Sequence, residues 1–95
     1  MVNKLKSDLA NLITVELKNR ITALGLVNSG AMLSATKAIV RVNASNLDIE
    51  VESEDYFPYL DGEYNITDYV MELDSVSSLL DELITSIAID DVLGA

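Results

Sequence analysis

The carboxylates are the side chains of this sequence best suited to chemistry. In the stretch DIEVESEDY, Asp48, Glu50 and Glu52 occupy every second position, so a β-strand would present all three on one face. Carboxylates two positions apart can hold a calcium ion, but the stretch lacks the Asp-x-Asp-x-Asp-Gly order and the final glutamate of an EF-hand loop. Acids on a strand face are more often solvated groups that discourage aggregation. We interpret them in this way and keep a calcium site as the alternative.

No other group of residues in the sequence predicts catalysis. The chain contains no histidine and no cysteine, which excludes imidazole and thiolate chemistry and imidazole metal ligands. SGAMLSAT is not the Gly-x-Ser-x-Gly turn of a hydrolase, and GLVNSG lacks the Gly-Lys-Ser/Thr of a phosphate-binding loop. The acid pairs Asp81–Glu82 and Asp90–Asp91 are predicted on the solvated face of a last helix. The sequence therefore predicts no enzyme, no cofactor and no metal site.

The aromatic residues are concentrated in one connecting segment. Four of the five aromatics fall within SEDYFPYLDGEY, residues 53–64. Tyrosine combines a large contact area with a hydroxyl group and is enriched at protein interfaces. We predict a loop in which Pro58 holds Phe57 extended. Either Phe57 and Leu60 close the core beneath rim tyrosines or the loop contacts another molecule, and the two interpretations are compatible. The interface candidates of this loop are Tyr56, Phe57, Tyr59, Leu60, Asp61 and Tyr64.

Charge is divided unevenly along the chain, whose net charge is −10. Residues 1–41 hold six basic and two acidic residues, a net charge of +4, whereas residues 42–95 hold fourteen acids and no base, a net charge of −14. Complementary charges orient binding partners, so this polarity predicts docking between copies or with a basic partner. Direct nucleic-acid binding is not expected, because more than half of the chain would repel phosphates. The charged interface candidates are Lys37, Arg41, Asp48, Glu50 and Glu52.

Hydrophobic periodicity predicts a single α+β domain over residues 1–95 that positions these side chains. Apolar residues at steps of three and four predict a long helix over 4–24 that ends at Gly25. A turn at 28–30 leads into a short segment that is either one helical turn or irregular. Alternating apolar and polar residues then predict a β-hairpin over 37–52 with the four-residue loop NASN.

Two patterns choose the same register for this hairpin. If Val42 faces Leu47, the aliphatic residues of both strands share the buried face. The same register places two cations opposite two acids, and each such pair contributes about 0.2–1 kcal/mol. These predicted pairs are Arg41 with Asp48 and Lys37 with Glu52. A two-stranded hairpin is marginal alone, so we also predict a third strand around 54–60 or pairing with a neighbour's strand.

The C-terminal third of the chain is predicted to be helical. Its apolar pattern favours helices over 66–72 and 76–89 with a break near DSVS, and one continuous helix is the alternative. The candidate N-caps are Asn65 and either Asp74 or Ser75. No stretch is long and apolar enough for a membrane span, and the first residues are not those of an export signal, so we expect a soluble protein.

Two short motifs, one on each side of the predicted hairpin, have counterparts in a known protein family. Before the first strand, the pattern Leu-x-Asp/Asn-Thr/Ser-Gly-x-Leu is matched by Leu26, Asn28, Ser29, Gly30 and Met32. After the second strand, the pattern Tyr-x-x-Tyr-Val/Leu-Glu/Asp-x-Gly is matched by Tyr56, Tyr59, Leu60 and Asp61, with Gly62 one place early. Over about residues 5–62 the chain thus resembles the tail-completion, or head–tail joining, proteins of tailed bacteriophages. The Gly-Thr and Arg-Pro-Phe segment of that family is missing before the last helix.

The resemblance implies a structural virion protein that is made in the host cytoplasm and performs no catalysis. It implies a hexameric or dodecameric ring in the phage neck or tail, in contact with neighbouring neck or tail proteins and with no membrane. The charge polarity suits such a ring, because a closed ring joins one surface of a subunit to a different surface of the next. Charge alone also allows an alternative: a small acidic regulatory protein, antitoxin-like or mimicking a nucleic acid, that occupies a basic site on its partner.

Overall fold

The computed structural model describes residues 2–26, 30–43 and 46–93, and it describes their side chains except at positions 31 and 90–93. Its elements are α1 (Val2–Ala23), α2 (Ala31–Ala35), β1 (Lys37–Asn43), β2 (Asn46–Glu52), α3 (Phe57–Tyr64), α4 (Ile66–Met71) and α5 (Asp74–Leu93). The predicted α+β fold, with a long N-terminal helix, a hairpin and C-terminal helices, is confirmed. Several predicted features lie outside the described residues: Asn28 and Ser29 of the turn, the tip of the hairpin loop, and the side chains of Asp90 and Asp91.

Helix α1 lies at the centre of the fold. Every fourth residue from Leu9 to Ile21 is fully buried, which places Leu9, Ile13, Leu17 and Ile21 on one stripe. The helix packs against β1 on one side and against α4 and α5 on another. Complete burial of an aliphatic side chain contributes about 1.5–3 kcal/mol, so this stripe is a principal source of stability.

A left-handed glycine ends α1, as the sequence predicts. Gly25 has φ 71°, and its N–H donates to the Thr22 carbonyl at 3.0 Å. The next N–H, that of Leu26, donates to the Ile21 carbonyl at 3.2 Å. These two bonds form a Schellman motif, which satisfies carbonyls that the helix end would otherwise leave free. The chain can then turn towards α2.

The hairpin has the predicted register. Val42 pairs with Leu47, Val40 with Ile49 and Ala38 with Val51. Ala38 and Val40 are buried, whereas the aliphatic residues of β2 are only half-buried. The predicted four-residue loop is wrong, because Asn43 and Asn46 still pair and only positions 44 and 45 separate the strands.

Two buried or half-buried threonines attach the hairpin to the helices. The Thr14 hydroxyl donates to the Ala10 carbonyl within α1 and accepts the Ala38 N–H, each at 2.8 Å. The Thr36 hydroxyl donates to the Met32 carbonyl of α2 at 2.6 Å and shares a hydrogen bond of 2.7 Å with the Ser53 hydroxyl. Thr36 is only 1% exposed, so these bonds satisfy a polar group that burial would otherwise destabilise.

The predicted third strand is wrong, since residues 57–64 form helix α3 and the described part of the chain has a two-stranded sheet. Phe57 is helical, not extended, and its N–H donates to the Glu54 carbonyl at 2.9 Å. Pro58 follows in the first turn of the helix, where its missing N–H has no helical acceptor in any case and its fixed φ suits the helix. The proline therefore starts this helix and does not prevent it.

The last part of the chain forms two helices, and the single continuous helix is excluded. Helix α4 ends at Met71, where the N–H of Leu73 donates to the Val70 carbonyl at 3.1 Å in a tight final turn. Helix α5 begins at Asp74, so Asp74 and Ser75 lie inside it and neither is the predicted N-cap. None of the described helices has the length and apolar character that crossing a membrane requires.

The substitution Gly25→Ala is expected to lower the free energy of unfolding by about 1–2 kcal/mol, because an L-residue resists the left-handed conformation. Gly62→Ala is the matched control. Gly62 lies inside α3, a Cβ there meets no atom within 4 Å, and alanine favours a helix over glycine by about 0.5–1 kcal/mol. Urea unfolding of both variants measures the difference. Equal losses of stability would contradict a left-handed cap at Gly25.

Thr14→Val is expected to lower the free energy of unfolding by about 1–3 kcal/mol, because the Ala38 N–H loses its acceptor at a half-buried site. Thr22→Val is the control, since the exposed Thr22 hydroxyl only donates to the Lys18 carbonyl of its own helix. Amide hydrogen exchange at Ala38 should accelerate in the first variant and not in the second. The same exchange rate in both variants would show that Thr14 does not hold the hairpin.

Candidate interaction surface

Helix α3 is fixed to the core through its apolar side. Phe57 is 5% exposed and belongs to the main hydrophobic cluster, and Leu60, one turn later, packs against that cluster. The interpretation that these two residues close the core is confirmed. Burial of a phenylalanine and part of a leucine holds the short helix in place, because a helix of eight residues is not stable by itself.

The tyrosines of the same segment point outward. Tyr59 is 81% exposed, Tyr56 47% and Tyr64 38%, so these rings do not plug the core. Tyr56 and Tyr59 are three positions apart, which makes them neighbours on one side of α3. Tyr64 is five positions beyond Tyr59 and therefore points about 140° away around the helix axis. The aromatic segment thus divides its side chains between the core and the surface.

Asp61 has a structural role that the sequence did not predict. Its carboxylate accepts the Thr67 N–H at 2.7 Å and the Thr67 hydroxyl at 3.0 Å. Thr67 is in the first turn of α4, where backbone N–H groups lack helical acceptors. Asn65, the residue at the cap position, has φ 52° and makes no side-chain cap bond. Asp61 therefore acts as the cap from the preceding helix and fixes the angle between α3 and α4.

A second aromatic site lies where α1 meets α4. The guanidinium carbon of Arg20 is 3.9 Å from the centroid of the Tyr69 ring, a cation–π stack. The stack borders an open cavity of about 370 Å³ that Tyr64, Asn65, Asp68 and Glu72 also line. The Arg20 Nε atom is buried and has no hydrogen-bond partner among the described residues.

The sequence did not predict this second site, and neither Arg20 nor Tyr69 was a predicted site residue. No local signal joins the two residues, because their contact depends on how α4 crosses α1. The one clue was that Tyr69 is the single aromatic outside the 53–64 segment.

The charged residues of the hairpin pair with one another on its exposed face. Lys37 Nζ lies 3.4 Å from Glu52 Oε2, as predicted. Arg41 is opposite Asp48 in the register, as predicted, but its guanidinium bonds Glu50 Oε2 at 2.6 Å and not Asp48. A long arginine side chain reaches the diagonal neighbour of its partner strand. This hydrogen bond and the charge of Glu50 raise the pKa of Arg41 above its ordinary value.

The charge polarity of the sequence becomes a different pattern in space. Lys37 and Arg41 lie beside the acids of β2, and Lys4 pairs with Asp8 at 2.9 Å within α1. Three of the six cations are thereby balanced inside the chain. At the hairpin, basic residues from the first part of the sequence therefore lie beside acidic residues from the second part, and the two charges do not form separate surfaces. With a net charge of −10, the protein surface is predominantly acidic.

The carboxylates of the described residues do not converge on a metal site. No group of three or more acidic residues among them is placed to hold an ion. Asp48, Glu50 and Glu52 are spread along β2, where alternate residues are about 6.6 Å apart. The calcium alternative receives no support from this arrangement.

No protein family, no curated protein and no solved structure matches this chain. The resemblance to tail-completion proteins therefore depends on the two short motifs. Of the first motif, Leu26, Gly30 and Met32 lie within the described residues. The second motif, residues 56–62, covers Tyr56, the N-cap of α3, and the helix as far as Gly62.

Asp61→Ala is expected to lower the free energy of unfolding by about 0.5–2 kcal/mol, the usual effect of losing an N-cap. Glu63→Ala is the matched control, because Glu63 is an exposed acid of the same helix. Urea unfolding compares the two variants. If Glu63→Ala destabilises the protein as much as Asp61→Ala, the capping role of Asp61 is refuted.

Proposed function

We propose that this protein is a structural subunit of the neck or tail of a tailed bacteriophage, where copies dock into a ring that completes or joins the tail. The observation that carries the proposal is the pair Tyr56 and Tyr59, exposed on a helix whose other side is fixed by Phe57 in the core. Exposed aromatic rings held in this way are typical of binding surfaces. The two family-like motifs give the proposal its phage context.

The fixed position of α3 favours tight docking. Phe57 anchors the start of the helix, and the bonds from Thr67 to Asp61 hold its later turn. A surface that is ordered before binding loses less conformational entropy when a partner arrives. Tyr56 and Tyr59 therefore have the preorganisation that a repeated subunit contact needs.

Charge selects what this surface docks against. Asp55, Glu63, Asp68 and Glu72 are exposed on or beside α3 and α4, and residues 42–95 contain no base. Their partner surface is therefore basic. Within the described residues Lys6 and Lys18 of α1 form no ion pair, so α1 of the next subunit offers uncompensated cations. A contact from α3 and α4 to α1 joins different surfaces, as a closed ring requires.

Native mass spectrometry of the purified chain tests the ring. The expected mass is a multiple of 10.3 kDa, either alone or after isolated phage tails are added. The double variant Tyr56→Ser, Tyr59→Ser should fold normally and lose the assembled species, whereas Ile84→Ser, at an exposed site of α5, should keep it. Added salt should weaken the assembly, because it screens exposed charges. A strict monomer in both settings would defeat the proposal.

The excess of exposed acids also favours a second candidate function. With Lys4, Lys37 and Arg41 balanced internally, the protein could occupy a basic site on a regulator or nuclease as an acidic mimic. Affinity purification distinguishes the two candidates. Recovery of a basic nuclease or repressor without virion proteins supports the mimic, and recovery of portal or tail proteins supports the subunit.

A further inference from the structure

The outer edge of β2 carries unpaired backbone groups. The Ala38 N–H donates to Thr14 and so points away from β2, which makes Ala38 and Val51 a pair without hydrogen bonds between them. Such pairs alternate along an antiparallel ladder, so Leu47, Ile49 and Val51 all direct their N–H and C=O groups outward. Within the described residues no backbone group bonds them, and β2 has one strand neighbour, β1.

The apolar face of the sheet is incompletely covered at this edge. Ala38 and Val40 of β1 are buried where the sheet packs against α1, whereas Leu47, Ile49 and Val51 of β2 are only half-buried. An added strand would cover these three side chains and would also satisfy the outward backbone groups. The edge therefore offers both of the contacts that strand addition uses.

The edge lacks most of the features that protect exposed strands. β2 has no proline, no lysine and no inward-pointing charge, and its register with β1 is regular over all seven residues. Within the described residues, its protection is the row of carboxylates Asp48, Glu50 and Glu52 on the outer face, of which Glu50 and Glu52 also pair with Arg41 and Lys37 of β1. Acids repel another acidic strand, but they attract a basic one.

This charge pattern argues against a second copy as the occupant. Antiparallel pairing of β2 with another β2 would place carboxylates against carboxylates. The β1 edge of a second copy is obstructed, because α1 packs against β1 and Thr14 already binds the Ala38 N–H. A strand from a different protein, with bases opposite the carboxylates and aliphatic residues between them, meets neither obstacle.

We propose that the free edge of β2 binds an extended segment of a partner protein in which basic residues alternate with aliphatic ones. The segment lies antiparallel or parallel to β2 and exchanges backbone hydrogen bonds with Leu47, Ile49 and Val51. Its basic side chains face Asp48, Glu50 and Glu52, and its aliphatic side chains extend the core over α1. This site is independent of the tyrosine contact between subunits.

Peptide binding to the whole chain tests this edge. The probe is the capped peptide KAIVRVN, which copies β1 and has the required alternation without α1 beside it. The control is EAIVEVN, in which glutamates replace both bases. The probe should slow amide hydrogen exchange at Leu47, Ile49 and Val51 about tenfold, equivalent to about 1.4 kcal/mol. The control should leave these rates unchanged.

Single variants test the role of charge. Asp48→Asn should weaken binding of the basic peptide about threefold, and Asp81→Asn, an exposed acid on α5, should not change it. The proposal is overturned if both peptides protect the edge equally, or if neither does. Loss of protection in β1 would show strand exchange and overturn it too. Edge amides that become protected in the peptide-free protein as its concentration rises would identify a second copy as the occupant and overturn the proposal.

Discussion

The buried stripe of α1 is the constraint on which the rest of the structure depends. Leu9, Ile13, Leu17 and Ile21 are inaccessible to solvent because the hairpin covers one side of the helix and the C-terminal helices cover another. No other described element is long enough and central enough to contact both groups. The hairpin and the short helices α3 and α4 are each marginal by themselves. Strand β1 and helix α4 pack directly on α1, and α3 packs on α4, so the stability of all of them derives from this arrangement around α1.

Because these elements are short, the same elements contribute to the core and form the proposed binding surfaces. Helix α3 buries Phe57 in the core while Tyr56 and Tyr59 remain exposed. The aliphatic residues of β2 are only half-buried. Ion pairs balance Lys37 and Arg41 of β1 against Glu52 and Glu50, and the remaining carboxylates of the chain give the surface its acidic character. Both proposed contacts therefore favour basic partners, although one uses side chains and the other uses backbone.

The sequence predicted those elements for which two patterns agreed. In the hairpin, hydrophobic alternation and opposite charges selected one register, and the structure has it. For residues 57–64 only composition is informative, and Pro58 fits an extended segment as well as the first turn of a helix. The diagonal bond from Arg41 to Glu50, the Asp61 cap and the Arg20–Tyr69 stack were not predictable, because each depends on side-chain reach or on the crossing of separate elements.

The position of Phe57 two residues before Tyr59 has a mechanical consequence. A partner that pulls on the exposed ring of Tyr59 pulls, through two peptide units, on a side chain buried in the core. The hydrogen bonds from Thr67 to Asp61 resist separation of the other end of the same helix. Tension applied at this surface is thus shared with the interior, and the helix resists being peeled from the molecule one turn at a time.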